Sequence, residues 1–124
     1  MKPTVLITAT NDAVRRDVCD VLARFDYEAV VASDATEALT LLRDNRRIGV
    51  IVADVELGGL TLAREARAIR PHLGVVYTAT TPHHVSESTK VSGAPILRKP
   101  YAAQQLVGVI RGLGRRVLDD SLAA

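Results

Sequence analysis

The sequence predicts an α/β fold: a parallel sheet wound on both faces by helices. Three observations carry that reading. Five short runs of aliphatic or β-branched residues alternate with helical patterns along the chain. The links between them are short, with no repeat or low-complexity segment. The central run, Gly49-Val50-Ile51-Val52-Ala53-Asp54, shows no polar alternation before its final carboxylate. A run of that kind reads as a strand covered on both faces. Its crossovers are right-handed wherever parallel strands are joined through helices.

Taken in order, Thr4 to Thr8 is the first buried strand and Ala9-Thr10-Asn11 the turn after it. Asn11 or Asp12 caps a helix whose apolar positions are Val14, Val18, Val21, Leu22 and Phe25. Tyr27 to Ala32 is the second strand. Ser33 and Asp34 open the second helix, where Asp34 and Glu37 have capping-box spacing and Ala38, Leu39, Leu41 and Leu42 are apolar. The central strand follows. After Leu57-Gly58-Gly59 comes a helix over 60–70, with Leu62, Ala63, Ala66 and Ile69 inward and Pro71 beyond its end. Gly74 to Ala79 is the fourth strand. The pattern predicts a weak, mobile helix over 81–92, because Ser86-Glu87-Ser88-Thr89 has poor helix propensity. Gly93 breaks it and Ala94 to Arg98 is a short fifth strand. Leu106, Val109, Ile110, Leu113 and Val117 mark the last helix, which Gly108, Gly112 and Gly114 weaken towards its end.

The chain of 124 residues is long enough for one domain with one sizeable core, and 48% hydrophobic residues argue against disorder. Aromatics are 3%, so the core is aliphatic, and neither base stacking nor an aromatic-lined cofactor site is indicated. The net charge of +2 is mild and spread out, so no nucleic-acid partner is expected. The basic cluster of Arg111, Arg115 and Arg116 reads as a solvated helix end, or more sharply as a docking patch for an acidic partner. Cys19 has no partner for an internal disulfide and sits on or beside an apolar helix face, as a small hydrophobe does. With no signal peptide and no apolar stretch of membrane-spanning length, the expectation is a cytoplasmic protein with no membrane partner.

The chemistry is expected past the carboxyl ends of the strands, where open parallel sheets place their sites. Asp54 ends the third strand and Lys99 follows the fifth, so both fall on one rim. Asp54 alone is equally a turn or cap aspartate. His83 and His84 are adjacent, point to different sides of any helix, and read as solvent-exposed; His72 follows Pro71 in a turn. No Ser/His/Asp or Cys/His set is spaced for nucleophilic catalysis, so the chain is not read as an enzyme.

Asp54 followed downstream by Lys99-Pro100 carries a resemblance. From Thr4-to-Thr8 through Val50-to-Leu57, Val75-to-Ala79 and Pro95-to-Tyr101, the chain resembles the receiver domain of bacterial two-component response regulators, over residues 3–118. The resemblance implies a flavodoxin-like, doubly wound five-stranded sheet of order 2-1-3-4-5, in a single domain of residues 1–124 with no output domain. It implies that Asp54 accepts a phosphoryl group from a histidine kinase or phosphotransfer protein. Lys99 matches the phosphate-binding lysine, and Pro100 a proline that in the family often follows a cis bond. Mg²⁺ would be held by Asp54, the Glu56 backbone carbonyl and an acidic pair after the first strand. A downstream protein, or a second copy in a homodimer, would read the face of helix four, strand five and helix five, Pro82 to Leu113.

The departures are specific. The acidic-pair positions are Ala9 and Thr10, Asn11 offers an amide oxygen, and the nearest acid, Asp12, starts a helix. Mg²⁺ favours carboxylate ligands, and each one lost near 4 Å removes on the order of a few kcal/mol of attraction, so any Mg²⁺ is expected to bind weakly. The family's hydroxyl after strand four falls on Ala79, with Thr78 and Thr80 as substitutes on either side. Its switch aromatic falls on Ile96. Two readings follow: a phosphoacceptor with a degenerate metal site, and a phosphorylation-independent adaptor, a pseudo-receiver locked by an Asp54–Lys99 ion pair. A third, more remote, is FMN binding at Thr8-Ala9-Thr10-Asn11. That loop has no glycine, and the chain has no Trp to sandwich a flavin.

Overall fold

The computed structural model describes residues 3–9 and 11–123, with side chains through 113. The elements are β1 (Thr4–Thr8), α1 (Asp12–Arg24), β2 (Glu28–Ala32), α2 (Ala35–Asp44), β3 (Ile48–Asp54), α3 (Gly59–Ile69), β4 (Gly74–Ala79), β5 (Ile96–Arg98) and α4 (Ala103–Ala123). All strand pairs are parallel, and the sheet order is β2-β1-β3-β4-β5.

Strand alternation divides the core in two, because successive side chains of a strand point to opposite faces. Leu6 of β1, Ile51 and Ala53 of β3, and Val75 and Tyr77 of β4 face α2 and α3, where they meet Leu42, Leu62 and Ala66. Val5, Ile7, Val52 and Val76 face the other way, onto Val18 and Leu22 of α1 and Leu106 and Ile110 of α4. A strand that must please both faces cannot alternate apolar with polar, which is why the central run reads as continuous. At about 25 cal/mol per Å² of apolar surface, these two layers are the main stabilising element of the fold.

The helix ends follow local chemistry. Asn11 caps α1, its side-chain oxygen accepting from the amides of Ala13 and Val14. Asp34 caps α2 through the Glu37 amide. The α3 start depends on two glycines. Gly58 has φ 78°, a left-handed conformation that glycine adopts without strain. A Cβ on Gly59 would lie 2.5 Å from the Asp54 carbonyl oxygen, so only glycine fits there.

The expected helix over 81–92 does not form. Two short 3₁₀ turns, Pro82–His84 and Glu87–Thr89, take its place. The reason is local competition for the backbone. The Ser86 hydroxyl accepts from the Ser88 amide, and the Thr89 hydroxyl donates to the Ser86 carbonyl. The Val91 amide, which a helix would have used, donates to the hydroxyl of the fully buried Tyr77. The described chain therefore has four α-helices, α4 being the fifth helix of the expectation.

Smaller corrections concern faces. Phe25 and Ile69, expected inward, are exposed, as is Val14. Phe25 lies just past the end of α1 and stacks under the Arg111 guanidinium at 5.1 Å. Ile69 is the last residue of α3. On α4 the buried face is Leu106, Val107, Ile110 and Leu113, with Val109 half-buried beside it. Val117, Arg115 and Arg116 lie outside the residues whose side chains are described. No described helix is long and apolar enough to cross a membrane.

Candidate functional site

The carboxyl ends of β1, β3, β4 and β5 surround an open cleft of about 440 Å³, with Asp54, Thr78, Thr80 and Lys99 in its lining. Asp54 is delivered by β3. Its amide donates to the Thr8 hydroxyl at 3.2 Å, and that hydroxyl in turn donates to the Val52 carbonyl at 3.1 Å. The buried Thr8 thus pins the end of β3 to β1, a positioning role that composition gave no reason to assign.

Register brings the partners together. Asp54 pairs with Thr78 across β3 and β4. The Thr78 hydroxyl donates to Asp54 Oδ2 at 3.3 Å. Lys99, just past β5, places Nζ 2.7 Å from the same oxygen, and the Lys99–Pro100 peptide is cis. The hydroxyl beside Asp54 therefore belongs to Thr78. The Ala79 methyl is buried, and its carbonyl accepts the Lys99 amide at 2.9 Å.

Beyond Asp54 a 3₁₀ turn spans Val55–Leu57, capped by Asp54 itself: Oδ1 accepts from the Glu56 amide at 2.9 Å. The turn carries Glu56 over the rim. Glu56 Oε1 accepts from the Thr80 amide and the Thr80 hydroxyl, both at 2.6 Å, and lies 3.2 Å from Lys99 Nζ. Sequence reasoning gave Glu56 only a backbone role. The available signal was its place two residues past a strand-end acid, where a turn can aim both carboxylates at one cation.

The electrostatics follow. Burial pulls the Lys99 pKa down, but the hydrogen bonds to Asp54 and Glu56 and the charges of both outweigh it, so the net direction is up. For Glu56, burial raises the pKa, and the Thr80 hydroxyl and amide and then Lys99 more than reverse that, so it is held below the usual carboxylate range. Tyr101, at the mouth of the cleft, is raised, first by burial and then by the Asp54 charge.

The β1 side of the cleft is different. Ala9 presents a methyl group, and its carbonyl accepts from Arg15 Nε at 2.7 Å. Asn11 spends its side-chain oxygen on the α1 cap. Asp12 is exposed and lies 3.7 Å from Arg15, outside the cleft lining. Thr10 falls outside the described residues. His83 and His84 stand edge to face on an exposed turn, also away from the cleft. Among the described residues no group of three or more His, Cys, Asp and Glu is placed to hold a metal ion.

The chain as a whole is similar to known proteins. The chain is 31% identical to "Response regulator MprA" of Mycobacterium sp. (strain KMS), over 97% of this chain and 54% of that protein. It thus spans about half the length of the curated relatives it matches. Among solved structures, a response regulator receiver protein from Pseudomonas putida is 28% identical, with TM-score 0.77, covering 90% of this chain and 98% of that one. A response regulator receiver protein from Sinorhizobium medicae WSM419 shares the fold at TM-score 0.82 and 24% identity, covering 90% and 94%. No family model matches the chain.

Proposed function

This chain is a receiver domain of the response-regulator type, and from that premise we propose that it works in two-component signalling with Asp54 as its phosphoryl acceptor. One observation carries the proposal. A strand-end carboxylate shares one oxygen with an ammonium at 2.7 Å and a hydroxyl at 3.3 Å. Such donors stabilise the charge that develops on transferring phosphoryl oxygens.

In this reading the donor is a phosphohistidine of a histidine kinase or phosphotransfer protein. An Asp54 oxygen attacks phosphorus, the P–N bond breaks, and the electron pair leaves with the imidazole nitrogen, which takes up a proton. Lys99 and Thr78 pass from the carboxylate to the phosphoryl oxygens. The chain's partner downstream reads the face formed by the 3₁₀ segment from Pro82, β5 and α4 to Leu113.

The donor set does not fit a firmly held Mg²⁺. The ion would take Asp54 and the Glu56 carbonyl, but the β1 side offers the Ala9 methyl, a committed Asn11, and Asp12 paired with Arg15. Hard divalent ions need more carboxylate than that. Lys99 carries the positive charge that faces Asp54 and Glu56.

Intact mass after incubation with acetyl phosphate, with and without Mg²⁺, tests the proposal. The expected result is a phosphoryl-sized gain that depends little on Mg²⁺ and vanishes in Asp54→Asn. No gain under any condition sinks it. The second reading, an adaptor recognised unmodified, would then stand on the existing ion pair of Asp54 with Lys99, and an unchanged partner affinity in Lys99→Ala would count against it.

A further inference from the structure

Glu56 makes contacts unlike those of a solvated surface carboxylate. Its side chain is 41% exposed, yet one oxygen gathers an amide, a hydroxyl and an ammonium. The donors come from different parts of the chain: Thr80 just past β4 and Lys99 just past β5, bridged by a residue just past β3. This is the donor set of an oxyanion, an N–H, an O–H and a fixed cation converging on one acceptor. It also ties together the loops that flank Asp54.

We propose that the Glu56 carboxylate is a built-in oxyanion that fills a seat made by Lys99 and Thr80, and that this seat takes a small tetrahedral oxyanion when Glu56 is removed. The inference deepens the reading of the site. It rests on the phosphoacceptor proposal only for the kind of anion that Glu56 forestalls. Glu56 competes with that anion for Lys99, the cation both would use. An arriving phosphoryl group must therefore displace Glu56 from Lys99 before it is fully neutralised. The seat is distinct from Asp54 itself, since its neutral donors are the amide and hydroxyl of Thr80.

The test is amide hydrogen exchange at Thr80, read by NMR on the full chain, in wild type, Glu56→Ala and Glu56→Gln. Loss of the charged acceptor is expected to speed Thr80 exchange by about tenfold in Glu56→Ala, with a smaller change in Glu56→Gln, which keeps a neutral acceptor. Millimolar inorganic phosphate is expected to restore protection in Glu56→Ala, to leave wild type unchanged, and to have no effect in Glu56→Ala combined with Lys99→Ala. Unchanged Thr80 exchange in Glu56→Ala overturns the proposal. So does phosphate acting equally on wild type and variant. A thermal melt verifies that both variants are folded before exchange is compared. Because phosphate binding forms no covalent bond, failure of Asp54 to gain phosphoryl mass leaves this inference standing, and failure of phosphate to restore protection in Glu56→Ala overturns it while leaving the acceptor role standing.

Discussion

The two sides of Asp54 are built on opposite plans. Towards β4 and β5, Thr78, Thr80, Lys99 and Glu56 form one connected network around the carboxylate. Towards β1, the polar groups serve the helix: Asn11 caps it, Asp12 approaches Arg15, and Arg15 reaches the Ala9 carbonyl. Both sides rest on the same sheet, and the sheet does not notice the difference. Its strands are fixed by buried aliphatics such as Leu6, Ile51 and Val76, whereas each side of the rim is set by a few loop residues. An open parallel sheet can thus carry a connected polar network on one side of a strand end and helix-serving polar groups on the other. That separation is what makes the comparison testable.

The largest effect is expected from putting an acid back on the β1 side. Ile7 pairs with Val52, so Ala9 and Asp54 each lie two residues past that pair. Ala9→Asp is expected to raise Mg²⁺ affinity about a hundredfold, less than an unopposed charge at contact distance would give, because Arg15 competes for the new carboxylate. Calorimetric titration reads the change. An affinity equal to wild type would break the comparison, since the poverty of the β1 side would not then be what weakens the metal.

A middle-sized effect is expected on the other side. Thr80 immediately precedes the segment that replaces the expected helix, and the Tyr77 hydroxyl holds that segment through the Val91 amide at 3.0 Å. Tyr77→Phe keeps the ring in the core and leaves that amide without its acceptor, at a cost of about 1–2 kcal/mol. Thermal denaturation is expected to fall accordingly, with faster exchange at Val91 and Thr80 together. A change at Val91 alone would show that the dense side holds without the segment's anchor, and would sharpen the comparison to Glu56 and Lys99.

That segment also shows where the sequence could be read and where it could not. The strands and their order were legible because a doubly covered sheet demands unbroken aliphatic runs, and those runs are visible in Thr4 to Thr8 and Val50 to Ala53. Asp54 and Lys99 were legible because strand ends on one rim must meet. The helix over 81–92 was misread: Val85 and Val91 are its only large apolar residues, Ser86, Ser88 and Thr89 bond locally, and the decisive partner, Tyr77, is distant in sequence. Thr78 could not be separated from Ala79 and Thr80 without register. Glu56 and Arg15 were missed because each acts through a side-chain reach that no periodicity records.

The smallest expected effect comes from Tyr101, which lies at the cleft mouth and also lines the groove between α1 and α4. Its phenol is raised by burial first and by the Asp54 charge second, with Lys99 opposing. A group whose proton is held more tightly in the folded chain makes folding less favourable as pH rises past its unfolded value. Asp54→Asn removes the second cause and leaves the first, and it frees Lys99 to act on the phenol. The Tyr101 titration, assigned against Tyr101→Phe and followed by ring-carbon NMR, is therefore expected to move down in Asp54→Asn while staying above the ordinary tyrosine value. Arg15→Ala, on the β1 side, is expected to leave it in place, since Arg15 is not among the charges acting on the phenol. A titration that moves with Arg15 and not with Asp54 would mean that the mouth of the cleft senses the β1 side, and the two-sided description of the rim would have to be redrawn.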